Sequence, residues 1–133
     1  MLHCLARDLE DNMDSHVTIQ VLKKAVDKLV KDRNWDQFHS LKNLAINLSV
    51  ESSELLEHFT WHNQPWSDIP EKKQKEIQDE LADVLINVIL FANNAHIDLS
   101  SALSTKLKKI EEKYPVHLAY GSNKKYTDYV QDK

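Results

Sequence analysis

Glycine occurs only once in the 133 residues of this sequence, at position 121, and proline occurs only three times. Tight turns rely on these two residues, because glycine adopts backbone conformations that other residues resist and proline fixes a bend. A protein built of many short strands needs such turns often, whereas long helices need few. Leucine, lysine, glutamate and alanine, which favour helices, are plentiful. The sequence therefore predicts an all-α protein.

Four amphipathic segments, separated by turn signals, predict a four-helix bundle. Thr18 can cap the first helix, and Asp98 or Ser100 can cap the fourth. Pro70 suits the first turn of the third helix, and Pro115 stops the fourth. The predicted helices span about residues 18–33, 40–61, 70–95 and 98–114.

The chain has the length of a single domain with a genuine hydrophobic core. Residues 1–16 are polar and unpatterned, and we interpret them as an N-terminal arm. Residues 17–133 are predicted to form one helical domain, which includes an irregular C-terminal tail at 114–133.

Composition argues against several classes of protein. The formal net charge of −4 provides no electrostatic footprint for a nucleic acid polymer. The single cysteine, Cys4, excludes an internal disulfide framework and fits a reducing compartment. No uninterrupted apolar run approaches the roughly 18–20 residues of a membrane span, and the first residues lack the apolar core of a signal peptide. The sequence predicts a cytoplasmic protein that binds neither nucleic acid polymer nor membrane.

Carboxylates interrupt the apolar face of the second predicted helix, in the stretch "SVESSELLEHF". The apolar residues that recur at helical spacing and predict a buried stripe are Leu41, Leu44, Leu48, Leu55 and Phe59. Glu51 falls on this stripe, and Glu54 lies one turn further along. An unpaired buried carboxylate costs several kcal/mol, so a cation is expected to compensate it.

The third predicted helix repeats this pattern, because Glu80 and Asp83 stand three residues apart in an apolar segment. Two such pairs on facing helices would bring four carboxylates to one point, where oxygen ligands suit Mg²⁺. The alternative is that each pair simply faces solvent. Zinc is a further alternative at His58 and His62, which are four residues apart but lack an obvious third ligand.

Aromatic residues and a histidine flank the acid-bearing second helix. Trp35 and His39 precede this helix, and Trp61 is predicted at its end. An aromatic plane with a nearby hydrogen-bonding group suits a nucleobase, although the same side chains also serve as ordinary packing anchors. Both interpretations remain open at this level.

Four segments, "NWDQFH", "SVESSELLEHFTW", "DELADVLINV" and "KYPVHLAYGSNKKYTDY", resemble the MazG-like all-α nucleoside triphosphate pyrophosphatase superfamily. The resemblance is strongest to its dCTP pyrophosphatase branch. It implies that the two acid pairs are ligands of Mg²⁺ and that Glu51 or Glu54 accepts a proton in catalysis. The positions that it implies for substrate binding are Trp35, His39, Trp61, Asn87 and Lys106. Asn87 stands where the branch has an aromatic residue, so the floor of the base pocket is expected to differ.

The resemblance implies Mg²⁺-dependent hydrolysis of a nucleotide, most simply dCTP or a modified dCTP, to the monophosphate and pyrophosphate. It also implies self-assembly into a dimer or tetramer, with the pocket completed across subunits. Other substrates stay open, namely dUTP, a broad range of nucleoside triphosphates, or phosphoribosyl-ATP. A non-catalytic helical interaction module, whose acids bind a basic partner, is the alternative outside enzymes.

Overall fold

The computed structural model describes residues 14–130, which are helical with turns and connecting loops and contain no strand. The α-helices are α1 Ile19–Lys31, α2 Leu41–Glu57, α3 Glu71–Asn94, α4 Leu99–Lys113 and α5 Val116–Ala119. Three short 3₁₀ helices lie at Asp36–Phe38, Trp66–Asp68 and Tyr126–Val130. The prediction of an all-α fold is therefore confirmed. Most of the predicted N-terminal arm, residues 1–13, lies outside the described residues.

Side-chain caps start three of the long helices where the sequence predicts them. The Thr18 hydroxyl accepts a hydrogen bond from the Val21 N–H at 3.3 Å, which opens α1. Ser40 caps α2 in the same way, and a carboxylate oxygen of Asp98 accepts the Ser101 N–H at 2.7 Å to open α4. These bonds join residues three apart, so local sequence is sufficient to specify them.

The ends of the helices differ more from the predictions. α2 ends at Glu57 and not at Trp61, because the chain tightens into turns in which the Phe59 N–H bonds the Leu56 carbonyl at 2.9 Å. α1 ends at Lys31 and not at Arg33. Each end is thus two to four residues earlier than the apolar pattern alone indicates.

Two residues that are not glycine take the left-handed conformation that closes a helix. Asn34 has φ of 52° after α1, and the Trp35 N–H reaches back to the Val30 carbonyl at 3.1 Å. His96 has φ of 55° after α3 and is followed by an equivalent bond from Ile97. This closure is usually made by glycine, which the chain lacks at these positions. The first closure brings Trp35 directly beyond the end of α1.

The described chain divides into two compact units, of which the first ends at Ile97. In this unit α3 packs against both α1 and α2, most extensively against α2. The buried apolar side chains of its core are Val26, Val30, Leu44, Ile69, Ile77, Ile89 and Ala92. The Asn93 side chain donates to the Lys23 carbonyl at 3.0 Å, and the Asn94 side chain donates to the His39 carbonyl at 2.9 Å. These amides fix the C-terminal end of α3 to α1 and to the residues just before α2.

The buried stripe predicted on α2 is only partly correct. Leu44 is fully buried, and Leu48 and Leu55 are partly buried. Leu41 and Phe59 are exposed, contrary to the prediction. Leu41 is the first residue of α2 and Phe59 lies beyond its last, so periodicity along a helix does not determine their burial.

The second unit begins at Asp98 and contains α4 and the tail. Tyr114 makes edge-to-face ring contacts with Tyr126 and Tyr129, at centroid distances of 5.9 and 6.3 Å. These contacts fold the tail back on the end of α4, after a turn in which Gly121 has φ of 68°. The tail includes the short helix α5, which the sequence did not predict. Within residues 14–130, no helix is long and apolar enough to cross a membrane.

Candidate active site

Three carboxylates from α2 and α3 converge in the first unit. One oxygen from each of Glu51, Glu54 and Glu80 lies within 4.8 Å of the others. Glu51 and Glu80 are partly buried, whereas Glu54 is exposed. The convergence arises because Glu51 and Glu54 are neighbours on one helix face and α3 packs Glu80 against them. We refer to these three residues as the carboxylate cluster.

Asp83 stands apart from the carboxylate cluster but acts on it electrostatically. Its side chain is exposed on α3, one turn after Glu80. The pKa of Glu51 is raised above its usual value, first by desolvation and then by the negative charges of Glu54, Asp83 and Glu80. All four predicted acids therefore share one electrostatic environment, although three of them make up the close group.

The donor set of the carboxylate cluster fits Mg²⁺. Each member offers a hard oxygen ligand, and Mg²⁺ binds through one or two carboxylates together with water and phosphate oxygens. Desolvation and like charges raise the pKa of Glu51, and a divalent cation would neutralise the like charges. Among residues 14–130, the group that could hold a metal consists of these acids and does not include His58 or His62. The zinc alternative therefore gains no support.

His58 lies beside the carboxylate cluster, a position that the sequence analysis did not assign to it. Its side chain is 12% exposed, and its Nε2 atom lies 3.9 Å from Oε1 of Glu80. The buried Nδ1 atom has no hydrogen-bond partner within the described chain. His58 follows Glu51 by seven residues, so helical spacing alone would have placed both side chains on one face.

An open cleft of about 710 Å³ adjoins the carboxylate cluster, a size suited to a small-molecule ligand. Its lining residues are Glu54, Glu57, His58, Thr60, Trp61, His62, Lys73 and Glu80. Trp61 is 88% exposed, so its ring is available for contact with a ligand or another chain. The sequence analysis did not assign Lys73 to a site, although it precedes Glu80 by seven residues on α3.

The remaining predicted substrate-binding residues lie elsewhere. Asn87 is buried on α3, and its side-chain amide donates to the Asp83 carbonyl at 3.0 Å. His39 is partly buried, and Trp35 is exposed with the Arg33 guanidinium 5.4 Å from its ring centroid. Lys106 is exposed on α4, in the second unit. Its substrate-binding role stays a prediction.

The three residues predicted to contact the base lie at opposite ends of α2. Trp35 and His39 precede this helix, and Trp61 follows it. The 17 residues of α2 extend about 25 Å along its axis, much further than one pyrimidine ring. Within a single chain these side chains therefore cannot share one base. A pocket that uses all three needs side chains from two subunits.

Comparison with known proteins shows the family to which the chain belongs. A family model described as MazG-like matches residues 46–129, a segment that contains all four acids. The chain belongs to the MazG-like family. Trp61, Asn87 and Lys106 also fall within the matched segment, whereas Trp35 and His39 precede it.

Curated relatives of the chain carry the name dCTP pyrophosphatase 1. The mouse protein is 37% identical over 117 residues, which cover 84% of this chain and 67% of the relative. The human protein is 33% identical with the same coverage of both. A solved structure, a pyrophosphatase from Archaeoglobus fulgidus, is 33% identical and has a TM-score of 0.68, covering 75% of this chain and 94% of that one. The MazG-like assignment therefore holds for both sequence and fold.

The raised pKa of Glu51 predicts an unusual dependence of stability on pH in this MazG-like protein when metal is removed. The folded state holds the Glu51 proton more tightly than the unfolded state does, so the free energy of unfolding falls as pH rises through the raised pKa. Glu51→Gln is therefore expected to stabilise the metal-free protein at pH 7. The difference from wild type should shrink toward pH 4, where Glu51 is mostly protonated in both states. Urea denaturation in EDTA at both pH values measures this effect.

Added Mg²⁺ provides the control, because the wild type should then gain more stability than Glu51→Gln. A metal-free variant that is less stable than wild type at pH 7 would contradict the electrostatic account of Glu51.

Proposed function

We propose that this protein is a Mg²⁺-dependent pyrophosphohydrolase that converts dCTP, or a modified dCTP, to the monophosphate and pyrophosphate. The class of enzyme, a nucleoside triphosphate pyrophosphatase, follows from its relatives and from the solved pyrophosphatase structure. The observation that carries the proposal is the carboxylate cluster, whose three oxygens lie within 4.8 Å at the edge of an open cleft. The substrate assignment rests on the names of the curated relatives.

In the proposed reaction a water molecule attacks the α-phosphorus, and the α–β anhydride bond breaks. The electron pair of that bond leaves with pyrophosphate. Bound Mg²⁺ would supply charge neutralisation and polarisation of phosphate oxygens, and Glu51, Glu54, Glu80 and Asp83 would hold it. One of the carboxylates accepts the proton of the attacking water. Glu51 or Glu54 is proposed for this role, because both belong to the carboxylate cluster on α2.

We propose that Trp35, His39 and Asn87 recognise the base at the end of the α2–α3 pair remote from Trp61. The bond from the Asn94 side chain to the His39 carbonyl supports this grouping, because it joins the start of α2 to the end of α3. Trp61 would then contact the base that is bound by another subunit. Lys106 is proposed to contact phosphate.

Self-association into a dimer or tetramer and a cytoplasmic location complete the proposal. Apolar side chains of α4, namely Leu103, Leu107 and Ile110, are exposed in the described chain, as expected of a subunit that packs against copies of itself. No nucleic acid polymer or membrane is proposed as a partner.

A substrate panel tests the proposed function. Release of pyrophosphate from dCTP, 5-methyl-dCTP, dUTP, the common nucleoside triphosphates and phosphoribosyl-ATP is measured with Mg²⁺ and with EDTA. We expect the highest kcat/KM for a cytosine deoxynucleotide and no turnover in EDTA. A preference for dUTP, or broad activity, would support the proposed class of enzyme but contradict the proposed substrate. No turnover of any nucleotide would favour the interaction module.

A further inference from the structure

The cleft beside the carboxylate cluster contains a positive charge that the proposed catalytic residues do not account for. Among the described residues that line the cleft, Lys73 is the one lysine or arginine. The same lining includes the carboxylates of Glu54, Glu57 and Glu80. A surface with so many carboxylates repels a triphosphate unless cations intervene. Lys73 is thus the fixed cation of a cleft that has to accept an anion.

Lys73 occupies one end of a regular series along α3. Lys73, Glu80 and Asn87 are seven residues apart, so they lie on one face at intervals of about 10.5 Å. Glu80 belongs to the carboxylate cluster and lies between Lys73 and Asn87 in this series. A nucleotide held at Glu80 therefore has the Lys73 ammonium toward the start of α3 and Asn87 toward its end.

Local contacts leave Lys73 available to a ligand. Its Nζ atom lies 3.5 Å from Oε2 of Glu76, a long contact between two partly exposed side chains that a phosphate can replace. The first turn of α3, to which Lys73 belongs, begins at Pro70 without a capping side chain. Its backbone N–H groups therefore add positive potential at the same end of the helix. Lys75, by contrast, pairs with Glu71 at 3.0 Å and is not among the residues that line the cleft.

We propose that Lys73 binds the β- and γ-phosphates of the substrate. This inference rests on the proposed function and gives the substrate a direction along α3, with the base toward Asn87 and the pyrophosphate group toward Lys73. When the α–β bond breaks, its electron pair and the negative charge pass to pyrophosphate, and the Lys73 ammonium offsets that charge. Lys73 thus distinguishes a nucleoside triphosphate from a monophosphate.

Titration calorimetry with two ligands tests the role of Lys73. The ligands are dCMP and the non-hydrolysable analogue α,β-imido-dCTP, both with Mg²⁺, and the proteins are wild type, Lys73→Gln, Lys73→Arg and the matched control Lys75→Gln. Lys73→Gln is expected to raise the Kd of the analogue by about tenfold to a hundredfold, the usual effect of removing a charged hydrogen bond. The Kd of dCMP should stay within about twofold of wild type. Lys73→Arg should retain most of the affinity, and Lys75→Gln all of it.

Two results would overturn the assignment of Lys73: an unchanged Kd for the analogue, or equal losses for the analogue and dCMP. Turnover of dCTP by wild type in the same preparation separates this failure from that of the proposed function. If wild type is active and Lys73→Gln binds the analogue normally, only the role of Lys73 is wrong. If wild type neither binds the analogue nor hydrolyses dCTP, the proposed function is wrong and this inference falls with it.

Discussion

Glu54→Gln is expected to lower kcat for the nucleoside triphosphate by at least about a hundredfold, because it removes one carboxylate of the cluster. The exposed position of Glu54 on α2 means that the substitution does not disturb the core. Removal of a like charge beside Glu51 should leave the metal-free protein as stable as wild type or more stable. Pyrophosphate release and urea denaturation in EDTA measure the two effects. Asp83→Asn is expected to behave in the same way.

Asp79→Asn is the matched control for these variants. Asp79 is exposed on α3 directly before Glu80. The substitution therefore removes a carboxylate from the same helix but none from the carboxylate cluster. We expect it to keep kcat within about twofold of wild type. Normal Mg²⁺-dependent turnover in both Glu54→Gln and Asp83→Asn would refute the proposed metal site.

Leu44→Ala is expected to lower the free energy of unfolding by about 2–5 kcal/mol, because the whole Leu44 side chain is buried in the core of the first unit. The total free energy of unfolding of a natural protein is typically about 5–15 kcal/mol, so this loss is a large fraction of it. Leu44 precedes Glu51 by seven residues on α2, so the same face that packs the core also carries the carboxylate. Loss of this packing should therefore also loosen the position of Glu51. Urea denaturation at a fixed protein concentration measures the change.

Ile46→Ala controls for the loss of apolar side chain on the same helix. Ile46 is 50% exposed and lies on the opposite side of α2 from Leu44. Its truncation should cost less than about 1 kcal/mol. Similar losses in both variants would mean that the face of α2 bearing Leu44 is not the one that stabilises the fold.

The positions of the long helices were predictable because their signals are local. The caps at Thr18 and Asp98 bond N–H groups only three residues away, and the scarcity of glycine excludes turn-rich folds. The ends of α1 and α2 were not predicted, because Asn34 closes α1 in a conformation more usual for glycine and α2 tightens into turns. The apolar periodicity of the sequence continues past the ends of these helices, so it does not indicate where they end.

The pairing of the acids was also predictable, since helical spacing puts Glu51 beside Glu54 and Glu80 beside Asp83 on their own helices. The distances between the acids of α2 and those of α3 were not predictable, because they depend on how the two helices pack. Packing brings Glu80 within 4.8 Å of the first pair and leaves Asp83 as an electrostatic neighbour.

The sequence by itself determined the helical class, the helix starts and the face on which each carboxylate lies, because all of these depend on residues within two turns of one another. Only the tertiary structure decided which side chains share a site. It placed His58 beside Glu80 and Lys73 in the cleft. These relations join residues on different structural elements. They follow from the packing of α2 on α3, which no local pattern encodes.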